Sequence, residues 1–318
     1  MRVSMSCGGL RRRNPARCRR LVAALAACSA LALSAARAQP PPIEGILILA
    51  HGGRPEWNER VMALVARVNE RQPAEVAFGM ASRPAMQAAV DRLVSRGAMG
   101  IVAVPLFISS HSGVITSTEY LLGLRSAASA DLPLLARGDH SHPGTGADSH
   151  AAHADPTAPL TMTVPVRMTP ALDQHPVVAD IVITRSRAMS RDPNREAVIV
   201  VAHGPTRDEE NAQWLEDMAV TAARIRAAIP FRSVDYLTVR DDAPRAVREA
   251  ATAELRALVA RHTGEGARVL IVPLLMSFGG IEQGIRTRLA GLDVVMAEQG
   301  LMPDDRLVDW VLAMAATH

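Results

Sequence analysis

An apolar run that ends in histidine and glycine occurs twice in this chain, and it limits the possible folds more than any other feature. The first copy is residues 46–53, ILILAHGG, and the second is residues 198–205, VIVVAHGP. Short apolar runs bounded by glycine and followed by an amphipathic segment are typical of buried strands in a parallel sheet. His51 and His203 are therefore predicted at the carboxyl ends of strands, the edge where open α/β sheets bind ligands.

The elements predicted after the first copy recur in the same order after the second. They are a strand over 75–81 matched by 234–239, a helix over 84–96 matched by 244–261, and a strand over 100–108 matched by 267–276. Repetition of this order predicts an α/β fold of two tandem modules. Each module is expected to be a small parallel sheet flanked by helices, with the two facing each other across a cleft. The predicted domains are residues 39–192 and 193–318.

One segment interrupts this repeat. Residues 137–159 are rich in glycine and proline, lack an apolar period, and are predicted to form a flexible insertion in the first module. The segment contains four histidines: His140, His142, His150 and His153. Histidine-rich tracts bind borderline metals weakly, so metal recruitment is one hypothesis and a solvated low-complexity loop is the other.

The first 38 residues have the pattern of a secretory signal peptide. A basic region through Arg20 precedes an alanine- and leucine-rich stretch, and Ala36-Arg37-Ala38 forms a cleavage site. The segment predicts export, with the periplasm as the expected location. A competing processing site, Leu25-Ala26-Ala27-Cys28, resembles a lipoprotein box, and cleavage there would leave an acylated Cys28 and a membrane-anchored protein.

Removal of residues 1–38 changes the chemistry open to the chain. The segment holds eight arginines and no acidic residue, so the formal charge of +3 becomes about −5 without it, and nothing then indicates a nucleic-acid partner. All three cysteines also lie there, and the whole chain lacks lysine. Schiff-base and Walker-type phosphate chemistry are thereby excluded, and a metal would have to bind histidine and carboxylate.

A second histidine is predicted at the same edge of the first sheet. The apolar run over 100–108 ends in Ser109-Ser110-His111-Ser112-Gly113. His51 and His111 would then follow neighbouring strands, and two imidazoles so placed suit a divalent transition metal with open coordination positions.

Three segments together resemble one family. Residues 46–58, 102–111 and the Pro-x-Leu-x-x-His-Pro element at 170–176 are similar to the class II tetrapyrrole chelatases, in particular sirohydrochlorin cobaltochelatase and ferrochelatase in the long two-module form. The resemblance implies ATP-independent insertion of a divalent metal, namely cobalt, iron or nickel, into a sirohydrochlorin-type tetrapyrrole. It also implies that the macrocycle lies between two facing modules, and that no nucleotide is required.

The resemblance also assigns roles to individual residues. His51 and His111 match the family's histidines and would act as metal ligands and proton acceptors. The expected substrate contacts are Gly52, Gly53, Arg54, Ser109, Ser110 and Ser112. The second module departs from this pattern because Gly279 stands where His111 would have its counterpart. Glu282 lies in a loop similar to one in protoporphyrin ferrochelatases, so His203 with Glu282 is either an altered second site or a remnant.

Two other functions remain open from sequence. An exported protein that binds metal or tetrapyrrole without catalysis would use the same residues. A hydrolase or phosphatase is less well supported, because the chain has no Gly-x-Ser-x-Gly motif and Ala50 rather than arginine precedes His51. The metal itself is not specified, because histidine and carboxylate sites follow a general affinity order.

Overall fold

Two four-stranded parallel sheets form the framework of the protein. The computed structural model describes residues 43–138 and 155–317. The first sheet has the order β2-β1-β3-β4 and the second the order β6-β5-β7-β8, with every pairing parallel. The strands are β1 Glu44–Ala50, β2 Ala74–Phe78, β3 Gly100–Pro105, β4 Val166–Met168, β5 Glu196–Ala202, β6 Ser233–Thr238, β7 Arg268–Leu274 and β8 Val294–Met296. The predicted fold class, with helices flanking two small parallel sheets, is confirmed.

Helices connect the strands and cover both faces of each sheet. They are α1 Pro55–Asn69, α2 Arg83–Ser95, α3 Gly113–Leu121, α4 Leu132–Gly138, α5 Pro176–Met189, α6 Asp208–Ala228, α7 Arg245–Gly264, α8 Ile281–Arg288 and α9 Arg306–Ala316, with a 3₁₀ turn at Pro193–Arg195. None of the helices in the described part of the chain combines the length and the apolar character needed to cross a membrane.

The two repeated phrases form the central strands β1 and β5. Residues 45–50 and 196–202 are buried throughout, which explains why these strands are continuously apolar rather than alternating. β1 pairs with β3 from Glu44 opposite Gly100 to Leu49 opposite Pro105. His51 and the loop that carries His111 therefore follow neighbouring parallel strands at one edge of the sheet.

Several predicted boundaries differ from the structure. The strand predicted over 75–81 is observed as Ala74–Phe78, and the helix predicted over 244–261 is observed as Arg245–Gly264. The apolar run over 100–108 leaves the sheet after Pro105 and continues as a partly buried loop toward His111. Helix α4 extends through Gly138, so regular structure continues two residues into the segment predicted to be an insertion from 137. The four histidines of that segment lie outside the described residues, as do residues 1–42.

The last helices of the two halves are exchanged between the sheets. α9, at the end of the second half, packs on α1 and β3 of the first half, whereas α5 packs on β7 and α6 of the second. The Trp310 ring on α9 meets the His175 ring edge-on, with centroids 6.4 Å apart. A single cluster of buried apolar residues therefore includes members from both halves, such as Ile46, Val200 and Leu307.

Hydrogen bonds also connect the two halves of the chain. Arg185 on α5 donates to the carbonyl oxygens of Gly300 and Leu301 at 3.1 and 3.2 Å. The Arg60 guanidinium on α1 donates to the Ser277 hydroxyl at 2.7 Å. Because the halves share both a core and these bonds, the loops at their sheet edges are held in a fixed relation.

Candidate functional site

His51 directly follows β1, and its side chain is exposed at the edge of the sheet. Its Nδ1 lies 2.6 Å from the carbonyl oxygen of Gly52. A carbonyl can only accept, so Nδ1 carries a proton, and in the neutral ring Nε2 is then the nitrogen with the free lone pair. Donation from one ring nitrogen to a carbonyl is the arrangement common in metal-binding histidines, because it fixes both the tautomer and the orientation of the ring.

His203 occupies the same position after β5, but its ring has different surroundings. Its side chain is about a quarter exposed (26%), and Nε2 lies 3.3 Å from Oδ2 of Asp242. Burial lowers the pKa of His203, and the positive charge of a protonated His51 lowers it further, while Asp242 and Asp241 oppose the shift. Burial is the largest of these effects, so His203 is favoured as the neutral imidazole.

His111 lies in the loop between β3 and α3, and both halves of the chain fix that loop. Its backbone N–H donates to the Ser109 hydroxyl at 3.1 Å. Its carbonyl oxygen accepts a 3.1 Å bond from the indole Nε1–H of Trp214, which belongs to α6. The position of His111 is therefore set partly by a helix of the second half.

Two aspartates accompany the His111 ring. Among the described residues, one group of three has the composition and spacing to hold a metal ion, namely His111, Asp173 and Asp217, whose ligand atoms lie within 4.8 Å of one another. Nε2 of His111 is 3.9 Å from Oδ2 of Asp217. One nitrogen and two carboxylate oxygens are a ligand set suited to borderline divalent cations.

Asp173 is held by the loop that carries His111. Its Oδ1 accepts the backbone N–H of Ser110 at 2.6 Å, and its Oδ2 accepts the Ser110 hydroxyl at 2.7 Å. The same hydroxyl accepts the N–H of Ala171 at 2.8 Å. Ser110 thus ties the segment after β4 to the loop after β3 and orients the carboxylate.

Asp217 approaches from the second half, on α6. Its Oδ2 is buried and has no hydrogen-bond partner among the described residues. Burial raises the pKa of Asp217, the nearby Asp173 carboxylate raises it further, and His111 opposes both effects. A buried carboxylate oxygen without a donor is costly, so this residue is poorly explained by the fold alone.

The corresponding loop of the second half contains Gly279, Gly280 and Glu282. Oε2 of Glu282 accepts the backbone N–H groups of Gly279 and Gly280 at 3.0 and 2.8 Å. Burial would raise the pKa of Glu282, but these two bonds and the nearby Arg54 outweigh it and lower the pKa. Glu282 therefore caps the start of its own helix, α8, as an anionic acceptor.

The predicted substrate contacts mostly have local structural tasks. Gly52 has a φ of +78°, a conformation that other residues adopt only with strain. The Ser112 hydroxyl accepts the N–H of Ile115 at the start of α3, and Ser109 and Ser110 bond as described above. Arg54 is exposed, and a Cβ added to Gly280 would lie 3.9 Å from its Nη2, which places Arg54 beside the Glu282 loop.

Asp173 and Asp217 are the site residues that sequence reasoning did not select. Asp173 lies within the 170–176 element that carried part of the resemblance, so its position two residues before His175 was visible but no role was assigned. Asp217 had no local signal, because an acidic residue on an amphipathic helix ordinarily faces solvent. Its relation to His111 arises only when α6 packs against the first half.

Comparison with known proteins bears on the first half in particular. Residues 45–189 match the model of the CbiX family. A curated relative, the sirohydrochlorin cobaltochelatase of Methanothermobacter thermautotrophicus, is 29% identical over 93 residues, which cover 28% of this chain and 64% of the relative. The aligned segment thus spans less than two thirds of that relative's length.

Two solved structures share the overall fold. One is SirB from Bacillus subtilis with Fe3+, which has a TM-score of 0.57 and 15% identity, with 86% of this chain and 94% of that chain covered. The other is the sirohydrochlorin chelatase SirB from Bacillus subtilis subspecies spizizenii in complex with cobalt, with a TM-score of 0.52, 15% identity, and 86% and 93% of the two chains covered. At this identity the likeness establishes the fold.

Proposed function

We propose that the protein inserts a divalent metal ion into a sirohydrochlorin-type tetrapyrrole, because residues 45–189 match the model of the CbiX family and the chain resembles the class II tetrapyrrole chelatases. The metal is the substrate, with cobalt, iron and nickel as the candidates, and no nucleotide takes part. The curated relative is named for cobalt insertion, and the two fold relatives are described with iron and cobalt, which supports this choice of metals.

The orientation of the His51 ring is the observation that carries the proposal. Because Nδ1–H donates to the Gly52 carbonyl, Nε2 presents an unprotonated lone pair at the exposed edge of the sheet. Metal insertion removes two pyrrole protons while the ion loses other ligands. A neutral imidazole nitrogen can bind the ion and can also accept a proton. His51 and His111 are the proposed ligands and proton acceptors.

The second half plays a supporting part in this proposal. His203 has Nε2 directed toward Asp242, and Glu282 is engaged by two backbone N–H groups, so neither presents a free ligand atom in the way His51 does. We interpret the His203 and Glu282 pair as a remnant or auxiliary site. Arg54 remains a candidate for pairing with an acidic side chain of the macrocycle.

The test is metal insertion by the purified protein. Wild type mixed with sirohydrochlorin and Co2+, Ni2+ or Fe2+ under anaerobic conditions should produce the visible spectrum of the metallated macrocycle. His51→Ala and His111→Ala should reduce the rate by at least about tenfold, whereas His203→Ala, the matched substitution at the equivalent strand end, should retain most of it. Unchanged rates in both of the first two variants would reject the assigned roles.

The predicted export signal favours a second candidate function. Tetrapyrrole synthesis is expected inside the cell, so an exported chain of this fold could instead bind metal or tetrapyrrole without catalysis. Saturable binding of Co2+ or Ni2+ by wild type, with no metallation of any tetrapyrrole supplied, would favour this binding protein. Fractionation of expressing cells tests the location: release with the periplasm supports cleavage after Ala38, and a membrane fraction that is lost in Cys28→Ser supports lipidation.

A further inference from the structure

We propose that His111, Asp173 and Asp217 form a divalent-cation docking site that the two halves of the chain build jointly. Binding of the ion depends on these three residues alone. Transfer of the bound ion to His51 and the macrocycle rests on the proposed function.

The spacing of the ligand atoms is close to that of a metal site. Ions such as Co2+ and Zn2+ bind imidazole and carboxylate at about 2.0–2.2 Å, so two ligands of one ion lie about 3 to 4.4 Å apart. The 3.9 Å between Nε2 of His111 and Oδ2 of Asp217 falls in that range. The full set lies within 4.8 Å, so small side-chain rotations would bring all three atoms onto one ion.

The surroundings of the Asp217 carboxylate favour binding of a cation. Its Oδ2 is shielded from solvent and accepts no hydrogen bond from the described residues, and the Asp173 carboxylate is its neighbour. Ile108, Met218 and Leu274 contribute apolar surface to the small cavity that both aspartates line. A divalent ion would balance both negative charges and would also satisfy the unpartnered oxygen.

The equivalent edge of the second half lacks every member of this set. Backbone bonds define the equivalence: Asp173 N–H donates to the Ile108 carbonyl, and Met302 N–H donates to the Met276 carbonyl in the same way. Met302 thus replaces Asp173, and Gly279 replaces His111.

The residue equivalent to Asp217 in the first half is also apolar. Asn58 and Asn211 occupy equivalent positions near the start of α1 and α6, and Leu64 follows Asn58 at the same interval at which Asp217 follows Asn211. A requirement of the fold would apply to both edges, so the appearance of all three ligands at one edge points to a function of that edge.

The three-residue ligand set would also allow the bound ion to leave the site. One imidazole and two carboxylates leave coordination positions open, because borderline divalent ions take four to six ligands. Ser110 holds both oxygens of Asp173, and hydrogen bonding of this kind orients a ligating carboxylate. A site with three protein ligands and exchangeable remaining positions can collect an ion and still give it up to a macrocycle.

The experiment measures Co2+ binding without a macrocycle. The full chain is titrated with Co2+ and followed by visible absorption and calorimetry, in a background where His140, His142, His150 and His153 are replaced by serine to remove weak binding. The variants Asp217→Asn and Asp173→Asn keep shape and remove charge, and Asp242→Asn, beside His203, is the matched control. Thermal melting establishes that each variant is folded.

We expect one Co2+ per chain in wild type and in Asp242→Asn, and an affinity about 10- to 100-fold lower in Asp217→Asn and Asp173→Asn. Equal affinity in wild type and Asp217→Asn would overturn the docking site and would assign Asp217 to a simple ion pair with His111. Docking that depends on Asp217 in a protein that metallates no tetrapyrrole would reject the proposed function while preserving this site.

Discussion

The indole Nε1–H of Trp214 donates a 3.1 Å hydrogen bond to the carbonyl oxygen of His111. Trp214 belongs to α6 of the second half, whereas His111 belongs to a loop of the first. The bond therefore fixes a candidate metal ligand from across the boundary between the halves. It also places Asp217, one turn further along α6, on the same side as His111.

Replacing Trp214 by phenylalanine tests this relation. Trp214→Phe retains an aromatic ring but removes the N–H donor. A typical hydrogen bond contributes about 1 kcal/mol to the stability of the folded protein. We expect weaker Co2+ binding and slower metal insertion, with far-ultraviolet circular dichroism unchanged. Trp310→Phe is the matched control, because Nε1 of Trp310 has no acceptor among the described residues. Equal losses of Co2+ affinity in both variants would show that the Trp214 bond does not position His111.

The exchange of α5 and α9 predicts that damage in one half appears in the other. Leu307 on α9 is fully buried, and α9 packs on α1 and β3. Leu307→Ala should cost about 2–5 kcal/mol. Hydrogen exchange should show reduced protection in α1 and β3 despite the distance along the chain. Leu255→Ala removes a leucine from a core cluster of second-half residues and should lower protection there instead. Loss confined to the second half in both variants would contradict the exchange.

The ionised Glu196 carboxylate should stabilise the folded protein at neutral pH, and this stabilisation should be lost in acid. Burial would raise the pKa of Glu196, but hydrogen bonds from Ser190, the Arg191 N–H and Arg268 outweigh it and lower the pKa. A depressed pKa stabilises the folded protein above the unfolded value of about 4.3, and this contribution is lost as the pH falls through the folded pKa.

The measurement is urea unfolding of Glu196→Gln between pH 3 and 7. The variant should lose about 1–3 kcal/mol at pH 7, and the difference from wild type should shrink as the pH falls below about 4. Glu44→Gln serves as the comparison, because Glu44 pairs with Arg167 at the equivalent place in β1 but is a third exposed (32%). A difference from wild type that is independent of pH would contradict this account of Glu196.

A side chain at position 113 would disturb an ion pair between the two halves. A Cβ at Gly113 would clash with Oδ2 of Asp131, whose Oδ1 is 2.6 Å from a guanidinium nitrogen of Arg207. Gly113→Ala should displace Asp131 and destabilise the protein by about 1–3 kcal/mol. A Cβ at Gly264, at the end of α7, meets nothing within 4 Å, so Gly264→Ala should be neutral or slightly stabilising. Chemical denaturation of the two variants decides the matter, and equal stability would contradict the prediction.

The fold could be predicted largely from local sequence. Five apolar residues before each His-Gly phrase define β1 and β5, because strands buried on both faces must be apolar throughout. Helix α1 has clear local signals, namely the apolar stripe through Val61, Leu64 and Val68 and the leading Pro55. The third strands were predicted too long, because their apolar runs continue as buried loops after Pro105 and Leu274 and hydrophobicity alone does not separate a buried loop from a strand.

The sequence was enough to place His51, His111 and His203 at strand ends, because the carboxyl edge of each strand follows from the repeated α/β pattern. What surrounds these histidines depends on how the helices pack. The Gly52 carbonyl fixes the His51 tautomer, and packing of α6 against the first half brings Asp217 to His111. These relations join residues far apart in the chain, and the packing that creates them leaves no periodic signal in either segment.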